Sequence, residues 1–130
     1  MAVLRIGHVN LRGPAGLIEQ LKNFYIDVIG LHEGPRPRFR SGSSGYWLYA
    51  GERDVIHLRV DEQHVLAAPR GALDHFALLC GHGDLAAMRA RLDSHGIEYA
   101  IDQVEETGQT QLFLRDPSGF GLELTFARNA

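Results

Sequence analysis

The sequence predicts an α+β fold made of two tandem copies of one unit, a strand followed by a helix and three further strands. Three observations point to it. The same order of elements occurs twice, chemistry-bearing residues recur at matching offsets, and the last strand-like run carries a carboxylate inside an apolar alternation.

Residues 2–11 are rich in β-branched residues and read as a first strand holding His8, ended by Gly13 and Pro14. Leu17, Leu21, Phe24, Tyr25 and Val28 then recur at helical spacing up to Gly30, a natural C-cap. Pro35 and Pro37 restrict 31–39 to an edge strand or an extended arm, and 41–45 is a polar, glycine-containing turn. Tyr46–Tyr49 and Val55–Val60 read as two strands joined by a turn through 51–54, with His57 in the second. Residues 63–71 lack a strong period and read as a connector.

The second copy opens with Leu73–Cys80, a strand containing His75. Asp84 is placed to cap a helix whose apolar residues are Leu85, Met88 and Leu92, stopping near Gly96. Strands at 97–104, 110–115 and 120–126 follow, with Asp116-Pro117-Ser118-Gly119 as the last turn. The expected organisation is a single domain over 1–130, made of modules 1–62 and 72–127.

His8 and His75 open the two copies 67 positions apart, and His57 and Glu123 close them 66 apart. Near-equal offsets place the four in equivalent positions of one repeated unit. Neither copy alone covers its sheet, so the two are expected to pack side by side, with all four residues on the faces turned from the helices. A carboxylate such as Glu123 facing a packed core calls for a partner or a metal. Three imidazoles and one carboxylate suit Fe, Mn, Co, Ni or Zn, and two histidines with one carboxylate form the facial triad of non-haem Fe(II) oxygenases. His57 reads either as a fourth ligand or as the acid/base of the site.

Composition bounds the rest. With net charge −3, one cysteine and no long apolar run among 130 residues, the chain suits neither nucleic acid nor a membrane. A cytoplasmic protein is the expectation. Strand parity places Asn10, Phe39, Arg40, Trp47, Tyr49, Arg59, Gln111 and Phe113 as candidates to line a substrate pocket. His32, His64, His82 and His95 fall in loops or near helix ends and read as surface residues.

Four stretches carry a family resemblance: Gly-His-Val-Asn-Leu at 7–11, Asn-Phe-Tyr-Ile-Asp-Val-Ile-Gly-Leu at 23–31, Leu-Asp-His-Phe-Ala-Leu at 73–78, and Phe-Leu-Arg-Asp-Pro-Ser-Gly-Phe-Gly-Leu-Glu-Leu at 113–124. In these the chain resembles the vicinal oxygen chelate superfamily, which includes glyoxalase I, extradiol dioxygenases, methylmalonyl-CoA epimerase and the bleomycin-resistance proteins. The resemblance implies two βαβββ modules forming an incomplete barrel around one divalent metal, with His8, His75 and Glu123 as ligands. It implies a small substrate with vicinal oxygens and a homodimer. Glyoxalase-type members usually carry Glu at the position of His57, whereas extradiol dioxygenases offer a histidine there as acid/base. Phe113 stands where the dioxygenase closing motif normally has a tyrosine.

The leading expectation is therefore a non-haem Fe(II) dioxygenase in which His57 and Glu123 are the catalytic candidates. A glyoxalase-like lyase or isomerase using Ni, Co or Zn is the second reading, and a metal-free drug- or metabolite-binding protein the third.

Overall fold

Strand alternation decides which face of each sheet is covered. The computed structural model describes residues 2–66 and 71–128 and divides the chain into two compact units, Met1–Ala68 and Pro69–Ala130. The expected connector at 63–71 lies partly outside the described residues.

In the first unit, β1 (Val9–Gly13) pairs parallel with β4 (Arg53–Val60), β3 (Gly45–Ala50) pairs antiparallel with β4, and β2 (His32–Gly34) forms the other edge. The spatial order is β1-β4-β3-β2. Helix α1 (Ala15–Asn23) continues as a π-helical turn over Phe24–Ile29 and stops at Gly30, whose φ of 98° only glycine adopts without strain. The helix lies against β4, β1 and β3. Ile18, Leu21 and Tyr25 of the helix and Leu48, Ile56 and Leu58 of the sheet are buried to about the last atom, which defines the core of this unit. Tyr46 hydroxyl donates to the Glu19 carboxylate and Lys22 sits 4.3 Å over the Tyr46 ring, tying helix to sheet at the surface.

The second unit repeats the topology. β5 (His75–Cys80) pairs parallel with β8 (Gly121–Phe126), β7 (Thr110–Arg115) pairs antiparallel with β8, and β6 (Ala100–Gln103) is the edge, giving β5-β8-β7-β6. Helix α2 (Leu85–Ser94) buries Met88 and Leu92, and the sheet buries Leu112, Leu122, Leu124 and Phe126. The Asp116–Gly119 turn is closed by the buried Asp116 carboxylate, which accepts from Ser118 N, Ser118 Oγ and Phe120 N. Two four-stranded mixed sheets with two α-helices make the protein α+β, and each sheet is open, not closed into a barrel.

Several boundaries differ from expectation. The first strand starts at Val9, where its ladder with β4 begins opposite Ile56, so His8 immediately precedes it. Val3, Leu4 and Ile6 are correspondingly exposed. The strand expected from Leu73 begins at His75, and the one expected over 97–104 is confined to Ala100–Gln103, the extent of its pairing with β7. Asp84 stands at the N-cap of α2 without a side-chain cap bond, since a short 3₁₀ turn at His82–Asp84 leads into the helix. The turn expected over 51–54 is shorter: Arg53 and Asp54 already belong to β4.

No helix of the described residues is long and apolar enough to cross a membrane.

Candidate functional site

In each unit the strand residues singled out lie on the sheet face whose parity is opposite to the buried aliphatics; Phe39 and Arg40, expected there by parity, lie on the arm between β2 and β3 and on no strand. In the first unit one cross-strand row reads Asn10, His57, Trp47, paired Cα to Cα. In the second the matching row is Ala77, Glu123, Phe113. Asn10 and Ala77 each follow the opening histidine by two residues, so the repeat read from the offsets is reproduced in strand register.

Three rings stack across the first sheet. Trp47 and His57 lie nearly parallel with centroids 3.9 Å apart, and His8 stacks on His57 at 3.7 Å. His57 is 8% exposed, while His8 is at the surface. Asp54 completes the group: its Oδ2 lies 2.6 Å from His57 Nε2. The ligand-type atoms of His8, Asp54 and His57 all fall within 4.8 Å of one another. Asp54 was not among the residues found in the sequence. It stands three positions before His57, an odd spacing that in a regular strand would turn it to the helix side. A β-bulge at Val55 uses up one residue, so that Tyr49 faces Asp54 while Leu48 faces Ile56, and Asp54 joins His57 on one face.

Burial, the larger effect, holds His57 below the ordinary imidazole range; the Asp54 hydrogen bond opposes it, and the fields of His8 and Arg36 add to it. Asp54 is held below the usual carboxylate range by its bond to His57. His57 is thus a neutral imidazole near pH 7 with a carboxylate beside it. Two imidazoles and a carboxylate are a donor set for a divalent ion of the Fe–Zn series.

A cavity of about 200 Å³ adjoins this group, lined by Asn10, Arg36, Phe39, Trp47, His57 and Arg59 among others. Arg36 donates from its Nη1 to Ser43 O at 3.0 Å and from Nη2 to Ser43 Oγ at 3.2 Å, with its guanidinium 4.9 Å over the Phe39 ring. Arg40 is exposed and outside the lining. Tyr49 faces β2 instead, donating to Pro35 O and stacking on His32.

In the second unit His75 Nε2 stands 3.4 Å from Glu123 Oε1, and His75 Nδ1 is 2.8 Å from Asp74 Oδ2. Asp74 chiefly raises the His75 pKa, against a smaller effect of burial. Glu123 is buried, and its Oε2 accepts from Gln111 Nε2 at 3.3 Å and from the Thr125 hydroxyl. Phe113 meets His75 edge to face at 6.2 Å, and the two line a second cavity of about 200 Å³. Asp74 was not singled out in the sequence either, whereas Thr125, two residues from Glu123, shares its face by strand parity.

The fold built from these two units is found in solved structures along nearly the whole chain. A glyoxylase/bleomycin resistance protein/dioxygenase domain from Frankia sp. EAN1pec matches with a TM-score of 0.78 at 19% identity, covering 99% of this chain and 96% of that one. The chain has the vicinal oxygen chelate fold. A glyoxalase family protein from Enterococcus faecalis matches with a TM-score of 0.66 at 26% identity, over 96% of this chain and 99% of that one. A lactoylglutathione lyase from Agrobacterium tumefaciens matches at 0.66 and 16% identity, over 97% and 96%. No protein-family model matches the chain, and no curated relative does. On the vicinal oxygen chelate fold, His8 and His75 stand at the start of the modules, and His57 and Glu123 on their closing strands.

Proposed function

We propose that the protein is a metal-dependent enzyme acting on a small substrate with two adjacent oxygens, and that its reaction is that of a non-haem Fe(II) dioxygenase. One observation carries the reading: His8, Asp54 and His57 converge beside a cavity, with His57 hydrogen-bonded to Asp54 at 2.6 Å. The donors fit a divalent ion, since imidazole and carboxylate suit Fe, Mn, Co, Ni and Zn, and Cys80 is not among them. Held by these residues, such an ion would supply Lewis-acid polarisation of the two substrate oxygens and, as Fe(II), a place to activate dioxygen, with the substrate as the net source of electrons.

The chain's own groups do the rest. A neutral His57 accepts the proton of a substrate hydroxyl, and the Asp54 carboxylate stabilises the imidazolium that forms. Trp47 covers one face of the imidazole and His8 the other, which limits water at the proton-bearing ring. Asn10, in the same row, presents a polar side chain to the cavity. A second reading, a glyoxalase-like lyase or isomerase with Ni, Co or Zn, is favoured by the same cluster if His57 serves as a ligand and not as the proton carrier. The working form is proposed to be a cytoplasmic homodimer, to be checked by light scattering.

Metal content per chain, measured on protein purified anaerobically without an affinity tag, tests the reading. About one Fe per chain, lost in His8→Ala and Asp54→Ala but kept in His57→Ala, with oxygen uptake on catechols, supports the dioxygenase. Ni, Co or Zn that is lost in His57→Ala as well, with anaerobic turnover of a hemithioacetal, supports the second reading. No metal after reconstitution, with tight ligand binding by the metal-free chain, would leave a binding protein.

A further inference from the structure

The cavity beside His57 has two guanidinium groups on its wall and no acid to pair them. Arg36 and Arg59 both line it, and the Nε of each is buried with no hydrogen-bond partner among the described residues. A buried N–H left unpaired is unfavourable, more so when the group is charged, so two on one small wall call for a common acceptor. The contrast with the next strand is instructive. Arg12 pairs with Arg59 in the β1–β4 register, yet Arg12 has its carboxylate, Asp61, at 3.6 Å. Among the described residues neither Arg36 nor Arg59 is in an ion pair, and the nearby Asp54 is engaged by His57.

Arg36 is also held ready. Ser43 fixes its two terminal nitrogens, Phe39 lies under its plane, and Pro35 and Pro37 flank it on an arm of restricted φ. This leaves Nε and the second hydrogen of each terminal nitrogen as donors. A fixed guanidinium edge and a second guanidinium suit a small oxyanion, which accepts charge-assisted hydrogen bonds from both.

We infer that this cavity is an anion subsite in which Arg36 and Arg59 bind a carboxylate or phosphoryl group of the substrate, beside His57. The inference rests on the proposed enzymatic reading and narrows its substrate class to anionic molecules: an oxyanion at one end and the reacting vicinal oxygens near His57. At about 200 Å³ the cavity admits a small charged group and excludes a bulky one.

The test is calorimetric titration of the metal-free chain with oxalate and with inorganic phosphate, and with oxamide as a neutral analogue of oxalate. Oxalate or phosphate is expected to bind and oxamide not. Arg59→Gln and Arg36→Gln should each weaken anion binding by about tenfold or more, whereas Arg38→Gln, on an exposed residue of the same arm, should leave it unchanged. Tighter binding of phosphate assigns a phosphoryl group, and tighter binding of oxalate a carboxylate. If Arg59→Gln fails to fold, Arg59→Lys serves instead, keeping charge but losing the fork, with an intermediate loss expected. Absence of binding by either anion, or binding that survives both arginine substitutions, overturns the inference. Because the titration uses metal-free protein, its failure leaves the metal reading standing, and a failed metal measurement leaves this one interpretable.

Discussion

Asp54 and His57 stand three residues apart on one strand and still present their side chains to one side, Oδ2 to Nε2 at 2.6 Å, because the bulge at Val55 absorbs the odd residue. Bulges of this kind re-aim a side chain without ending the strand. The pair joins the best-buried histidine among the described residues to a carboxylate that periodicity places elsewhere.

Removing Asp54 should therefore be felt at the metal. Asp54→Ala is expected to weaken divalent-metal binding by about 10–100-fold, measured by competition with a chromophoric chelator. Unchanged affinity would take Asp54 out of the centre.

The histidines should titrate in a definite order. In the metal-free protein His75 is expected above the ordinary imidazole value and His57 below it, as followed by NMR of the ring protons. The signs for stability are opposite. For His57 the unfolded chain takes up the proton first, so its contribution is lost as pH falls through the ordinary imidazole range. For His75 the folded chain binds the proton more tightly, so its contribution is present at low pH and lost as pH rises through the raised value. Asp74→Asn should bring the His75 titration down; a His75 curve that stays raised would show that Asp74 is not the cause.

Gly45 is expected to resist substitution. Its φ is +153°, and a Cβ there would lie 1.8 Å from the Leu58 carbonyl oxygen, which is backbone and cannot swing aside. Gly45→Ala should lower stability by about 1–3 kcal/mol from conformation alone, with the clash in addition. Urea unfolding measures it, and a midpoint equal to wild type would show that β3 and β4 can part there.

Cys80 should be a slow nucleophile. Burial, with the nearby Asp84 charge, pushes its thiol up to about 11, so little thiolate exists at pH 7. Ellman's reagent is expected to react slowly with native protein and rapidly in urea. Fast native reaction would mean that the β5 end opens readily.

By itself the sequence determined the repeated topology, which histidines open the modules, and which residues close them. These follow from local physics: period-two and helical alternation, glycine and proline stops, and equal offsets between copies. His57, Trp47 and Asn10 were legible because a regular ladder carries parity across strands. Only the tertiary structure decided where that parity breaks. The Val55 bulge brought Asp54 to His57, and the Ser43 contacts set Arg36, and not Arg40, on the cavity wall. Neither event leaves a period in the chain: a bulge depends on how two strands pair, and the course of a proline-containing arm depends on what it packs against.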